Sequence, residues 1–298
     1  MNAFSSLLSW LCDGYWPGQR DESLLSVRGH SHVYALQRLL AVGDVADIYL
    51  GSVESDPMAE VEGAYILKVS SVPEGNVCLD IERKTLAKLL AAAGATTYRK
   101  YLPDLIESFL AREIRRHVNV FQSEPGFHTL EQGHEQHPAL DGRHLAWIFN
   151  RLLTVLGFCH RQGIIHGAVL PCHVMVEAPS HGLRLVGWGQ SVVKGRAIRT
   201  ISTRYRDWYP PEVLRKQPAG PATDLFLAAR CLVYLAGGDP VTNWMPDAVP
   251  QPMRQFIASC LLESARMRPD DAWALLEDFA ELLQRLYGSP QFHELTLT

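Results

Sequence analysis

A chain of 298 residues with 47% hydrophobic and 20% charged side chains can bury a full core as one two-lobed unit or two domains, which excludes wholesale disorder. Its net charge of −4 at pH 7 provides no general attraction to nucleic acid or to an acidic membrane surface. The six cysteines, at positions 12, 78, 159, 172, 231 and 260, include no C-x-x-C pair and read as free thiols of a reducing compartment.

Residues 1 to about 32 admit two readings, a strap over the succeeding strands or a partner-binding tail, and the run SSLLSWL is short and amphipathic. No basic residue precedes it, so a signal peptide is not expected. From Tyr34 to Val69 the apolar pattern predicts three strands, with turns at Gly43-Asp44 and around SDPMAEVEG. The stretch LDIERKTLAKLLAAAG predicts a helix that stops at Gly94, with Glu82, Leu86 and Leu89 on one face. Two antiparallel strands come next in DLIESFLAREIRRHVNVFQ, joined by a basic turn at Arg112 to Arg116. The run from Pro125 to Gly142 carries His128, His134 and His137. Its irregular spacing and its Gly and Pro content favour a solvated loop over a metal site.

Leu145 to His160 places apolar residues three and four apart over four turns, a buried helix ended by Gly163. Val174 to Val176 and Leu183 to Val186 flank a Pro/Gly turn and predict a hairpin, which leads into Gly187-Trp188-Gly189. Asp224 opens the apolar helix that runs through Leu225 to Ala236, too short to span a bilayer and interrupted by Arg230. Cytoplasmic location is expected by elimination.

Helix, polar loop, hairpin and Gly-Trp-Gly resemble the catalytic core of the protein kinase-like superfamily, and the chain is similar to a degenerate member of the bacterial Ser/Thr kinase-like type. His166 to Val176 stands where kinases carry H-R-D-L-x-x-x-N, and Gly187 to Gly189 where they carry D-F-G. Gly43, with Ala41, Ala46 and Ile48, resembles the glycine-rich loop, and Lys68 closes a strand in the manner of V-A-I-K. Pro210-Pro211-Glu212 matches A-P-E. The resemblance implies an α+β fold of two lobes: a small antiparallel β lobe with one main helix, and a mostly helical large lobe. Little room remains between Gly238 and Met253 for a long helix, so the large lobe reads as trimmed. The implied division is an N-terminal extension over 1–33, a small lobe over 34–123, a large lobe over 124–288 and a tail over 289–298.

The resemblance also implies roles by position. Lys68 and Glu82 form an ion pair, either purely structural or in contact with nucleotide. Ile66 and Met175 line an adenine slot, with Ile66 bulky enough to narrow it. His166, Trp188 and Leu86 belong to an internal apolar stack. Asp224 accepts backbone donors from the catalytic loop, and Glu212 pairs with Arg268. The chemistry, however, is missing. Ala168 stands at the catalytic aspartate, Gly167 at the arginine, His173 at the metal-binding asparagine and Gly187 at the metal-binding aspartate. The loss of that arginine also removes the usual anchor for a phosphate on Thr200, Ser202 or Thr203. The expectation is a pseudokinase that binds a protein partner, with no catalytic residue, no metal and no required cofactor, and with ATP or ADP bound weakly without Mg²⁺ at most. The competing expectation is an atypical phosphoryl or nucleotidyl transferase with a relocated site built on Lys68 and Glu82, with His173 or Asp224 as a further member.

Overall fold

The computed structural model describes residues 26–54 and 64–297. The loop SDPMAEVEG, Cys12 and most of the 1–33 extension lie outside the described residues. The chain is two-lobed, with a β-sheet lobe that carries one helix and a mostly helical lobe, the architecture of a kinase-like fold. Among the described residues, packing separates 26–54, 64–83 and 104–123 from 84–103 and 124–297.

The first unit is a six-stranded antiparallel sheet in the order β1-β2-β3-β4-β6-β5. Its strands are β1 (Ser26–Arg28), β2 (Val33–Ala41), β3 (Ala46–Val53), β4 (Tyr65–Ser70), β5 (Leu105–Ala111) and β6 (Arg116–Gln122). β1 pairs with β2, Ser26 opposite Ala35, so the sheet begins within the stretch that the sequence left between strap and tail. The sheet curls around its own core of Val27, Tyr34, Leu67, Val69, Phe109, Val118 and Val120. Glu107 on β5 accepts from the backbone N–H groups of His30 and Ser31 and from the Tyr34 hydroxyl at 2.8 Å. One carboxylate thus ties the segment after β1 to the strand at the far end of the hydrogen-bonded order. Burial, helped by the hydrogen bond and charge of Glu107, pushes the Tyr34 phenol well up.

Helix α1 (Pro73–Ala93) starts earlier than the sequence suggested. The expected helix began at Leu79, but Pro73 suits a first helical turn, and Gly75 has a packing role. A Cβ at Gly75 would meet the Val45 carbonyl oxygen at 2.0 Å, so only glycine lets the helix start approach the β2–β3 turn this closely. The second unit takes the rest of this helix from Lys84, including the fully buried Leu86 and Leu89.

In the second unit the short β7 (His128–Thr129) leads into α2 (Leu130–Gln136), whose start is closed by a capping box between Thr129 and Gln132. Helix α3 (Gly142–Arg161) is capped by Asp141 and buries Leu145, Ile148, Phe149, Leu152, Val155 and Leu156. Gly163 lies just beyond it in the left-handed region at φ 72. The strands β8 (Ile164–Ile165), β9 (Val174–Glu177), β10 (Gly182–Leu185) and β11 (Val192–Val193) make two small sheets, β10-β9-β7 and β11-β8. The one-turn α4 (Pro211–Leu214), the buried α5 (Pro221–Leu235), α6 (Gln251–Ser259) and α7 (Ala272–Tyr287) complete the unit. Between α5 and α6 the described residues form a tight loop, with Asp239 bridged to Trp244, in place of a long helix. Among the described residues no helix is long and apolar enough to cross a membrane. Cys78, Cys159, Cys172, Cys231 and Cys260 are free thiols.

Candidate functional site

In the first unit, Lys68 Nζ donates to Glu82 Oε1 at 2.9 Å. β4 presents the lysine and α1 the glutamate, whose side chain is only 1% exposed. The other carboxylate oxygen accepts from Asn119 Nδ2 at 2.9 Å, and the same amide nitrogen donates to the Leu79 carbonyl at 3.0 Å. Asn119 Oδ1 accepts from the Ser108 hydroxyl at 2.7 Å. A buried carboxylate with donors on both oxygens is one whose desolvation is compensated. This arrangement needs no ligand to complete it. Asn119 was not singled out from sequence, although a polar residue inside the apolar run VNVF is the signal that could have found it.

The glycine turn is also accounted for within the protein. A Cβ at Gly43 would come within 2.5 Å of the Ala46 carbonyl oxygen, so the turn itself demands glycine. Ile48 and Ile66 lie on β3 and β4, each half-buried, with Ile66 opposite Phe121 of β6. In the second unit Met175 sits half-buried on β9, opposite Arg184.

The second unit assembles the remaining residues around Asp224. Fully buried in the first turn of α5, it accepts from the backbone N–H of His166 and of Gly167, each at 2.8 Å, and lies 2.9 Å from His160 Nε2. The negative charge at a helix start, ringed by N–H donors, fixes the loop between β8 and β9. Its field and burial together push the Cys159 thiol well up, burial being the larger cause. His160 was missed from sequence because nothing in the helical pattern of α3 distinguishes it from a solvent-facing end.

His166 is buried and its tautomer is set by its partners. Nδ1 accepts from the Ala168 N–H at 3.2 Å, so the proton sits on Nε2, which donates to the Val186 carbonyl at 2.9 Å. Its ring meets Trp188 edge to face at 4.5 Å, and the indole donates to the Leu185 carbonyl at 2.8 Å. Leu86, the third residue expected in this stack, is buried as well.

His173 and Gly187 are brought together. His173 Nδ1 donates to the Ala168 carbonyl at 2.8 Å, which turns the ring toward residue 187. A Cβ at Gly187 would lie 2.4–2.7 Å from three atoms of that ring. Gly187 also has φ 80, a conformation that L side chains rarely adopt. The imidazole therefore fills the volume that a side chain at 187 needs. Mg²⁺ takes oxygen ligands in near-octahedral order, and these two positions offer an imidazole and a bare backbone. The residues do not fit that ion. Among the described residues no cluster of three or more His, Cys, Asp or Glu could hold a metal.

Gly167 is similarly constrained. Its φ is 76, and a Cβ would lie 2.9 Å from the Gln190 carbonyl oxygen and 3.1 Å from the Ile198 side chain. An arginine here meets both strain and crowding. The segment after β11 is held by other means. Arg204 pairs with Glu131 of α2 at 2.9 Å, and the Tyr205 hydroxyl donates to the same carboxylate. Burial, then Cys172 and Glu131, push the Tyr205 phenol well up. The Tyr209 hydroxyl accepts from the Ser202 N–H at 3.2 Å and donates to Gln190 at 3.0 Å. Ser202 is buried, Thr200 is half-buried and Thr203 is exposed.

Glu212 and Arg268 form a bidentate pair, with Nη1 to Oε1 at 2.9 Å and Nη2 to Oε2 at 2.8 Å. The guanidinium also donates to the carbonyls of Leu262, Ala222 and Glu263 and lies over the Phe226 ring at 4.7 Å. All of its donors face acceptors, the condition under which a buried ion pair holds.

No protein-family model matches the chain. It is 29% identical over 171 residues to serine/threonine-protein kinase F of Synechocystis sp., a match that covers 52% of this chain and 34% of that protein. It is 30% identical over 94 residues to sperm motility kinase 2B of Mus musculus and over 95 residues to sperm motility kinase Z, each match covering 30% of this chain. The chain thus spans about a third or less of the length of these relatives, 34%, 19% and 18% respectively. Together with the two-lobed architecture, these matches give the chain a kinase-like fold with weak sequence similarity to protein kinases.

Proposed function

We propose that the chain is a pseudokinase of the bacterial Ser/Thr kinase-like type, a regulatory or scaffolding module that works by binding another protein and transfers no phosphoryl group. Phosphoryl transfer in kinases needs a carboxylate to orient the hydroxyl and oxygen ligands to hold Mg²⁺. The observation that carries the reading is the His173 ring standing in the space of a residue-187 side chain, beside an alanine at 168. The surrounding frame is kept: Lys68 pairs with Glu82, which Asn119 also holds, and Asp224 accepts from the His166 and Gly167 backbone and lies beside His160. A frame that is present while its chemical groups are replaced suits a domain that works through its surface. Any ATP or ADP held by Lys68 is bound without the metal.

The test is a thermal shift with ATP, ADP or buffer, each in Mg²⁺ and in EDTA. A ligand that binds the folded state alone raises the midpoint in proportion to ln(1 + [L]/Kd). The proposal expects either no shift or one that is identical in EDTA. A shift that requires Mg²⁺, accompanied by loss of the γ-phosphate, overturns it.

A further inference from the structure

The segment after α7, residues 289–297, has no helix or strand, yet from Phe292 to Leu297 its side chains alternate between outward and inward. His293 and Leu297 are half-buried and Leu295 is buried, while Phe292, Glu294 and Thr296 face outward. Alternation of this kind marks an extended peptide laid on a surface. The surface grips its backbone. His181 Nε2 donates to the His293 carbonyl at 2.8 Å, and His137 Nε2 donates to the Thr296 carbonyl at 2.7 Å. Neither contact depends on which side chain the peptide carries.

Side-chain selection comes from two places. Phe292 stacks on the His181 ring at 4.2 Å and 19°, and Trp147 stacks on it at 4.3 Å and 5°. Two rings that close and that parallel must take opposite faces of the imidazole, so the platform Trp147–His181 stands ready for an aromatic. That platform is fixed independently of the peptide. His181 occupies the β9–β10 turn at φ 51, and its own carbonyl accepts from Arg151 at 3.3 Å. Leu295 sinks in three residues later, and Leu297 lies against Gly133 of α2, where any Cβ would come within 3.8 Å of it.

We propose that this groove, built by α2, the start of α3 and the β9–β10 turn, is a peptide-docking site that residues 291–297 fill in cis. The occupant they stand in for is an extended segment of another protein, with an aromatic residue followed three and five positions later by leucine. Backbone hydrogen bonds with pockets for spaced side chains are a general mode of peptide recognition. The proposal rests on the binding-module reading and supplies its surface. A tethered occupant competes at high effective concentration and lowers the apparent affinity for any free peptide.

The test uses the full chain and a labelled peptide SPQFHELTL, followed by fluorescence anisotropy. In Phe292→Ala/Leu295→Asp the cis segment is weakened, and the peptide is expected to bind about tenfold tighter or more than to the unaltered chain. Adding His181→Ala or His137→Ala removes that gain, and a peptide with alanine at its Phe and central Leu does not bind. Phe292→Ala alone, at a side chain 61% exposed, gives the same direction of change without risk to the core. Equal binding to the unaltered and released chains, or none to a released chain that keeps its melting temperature, overturns the proposal. So does a concentration-dependent dimer that the release variants abolish, since the occupant is then a second copy. None of these outcomes alters the nucleotide titrations, so the two readings fail separately.

Discussion

The His173 imidazole and the Gly187 backbone exclude each other's alternatives: the ring is in place only because residue 187 has no Cβ, and a Cβ there would lie 2.4 Å from the ring. Gly187→Asp must therefore displace His173 from its bond to Ala168 and accept φ 80 with a side chain. A left-handed residue costs about 1–2 kcal/mol and overpacking about 1–3 kcal/mol more. The double variant His173→Asn/Gly187→Asp relieves the second cost. Urea unfolding of both singles and the double is expected to show a coupling of about 1 kcal/mol or more in favour of the double. Strict additivity would show that the ring has ample room to move.

Arg268→Ala strips a buried carboxylate of two hydrogen bonds and leaves three carbonyls without their donor. The Arg268 side chain is fully buried and that of Glu212 nearly so, so roughly 3–5 kcal/mol of stability is at stake. Equilibrium unfolding monitored by tryptophan fluorescence reads it directly. Arg268→Lys is expected to recover only a minor part, since an ammonium cannot make the paired fork.

Lys68→Met should be gentler than a typical broken buried pair. Glu82 keeps Asn119, and Lys68 is itself 16% exposed. Loss of about 1–3 kcal/mol is expected, and Asn119→Ala on the same background should then cost more than it does alone. Thermal melts of the four chains complete the cycle.

Acid should weaken the fold before any carboxylate titrates. Burial lowers the pKa of His117, His134, His144 and His181 from the ordinary 6.5. Below that value the unfolded chain takes up protons that the folded chain refuses, so stability falls as pH drops. The melting temperature is expected to be level from pH 8 to 7 and to decline below about 6.5. His134→Gln, with burial as the sole cause of its shift, should flatten the decline in part.

The sequence made the large elements readable because their apolar periods are strong: α3, the β9–β10 hairpin and α5 follow from spacing alone. Lys68, Glu82, Asp224 and Arg268 were legible through a family resemblance together with their main partners, whereas the groups that complete those contacts were not. Asn119, His160 and Glu131 act across long sequence separations, and no local pattern requires a buried acceptor or donor at those points. Gly75 and Gly187 illustrate the opposite failure. A glycine reads as punctuation or as a lost side chain, whereas here one glycine admits a carbonyl and the other an imidazole. Residues 289–298 read as a tail, and the inward turn of His293, Leu295 and Leu297 shows an attachment that no strand or helix period announces.

Glu107 gives the β lobe a property that its strand order conceals. Among the described residues the ladder ends at β1 and β5, and an end strand in general presents a row of backbone groups that invites a foreign strand. Because Glu107 holds His30, Ser31 and Tyr34, and Phe109 packs on the rings of His30 and Tyr34, the two ends of the order meet in space. A strand seeking to extend the sheet at that seam must first undo these contacts. The seam acts as a guard against recruitment into intermolecular β-structure.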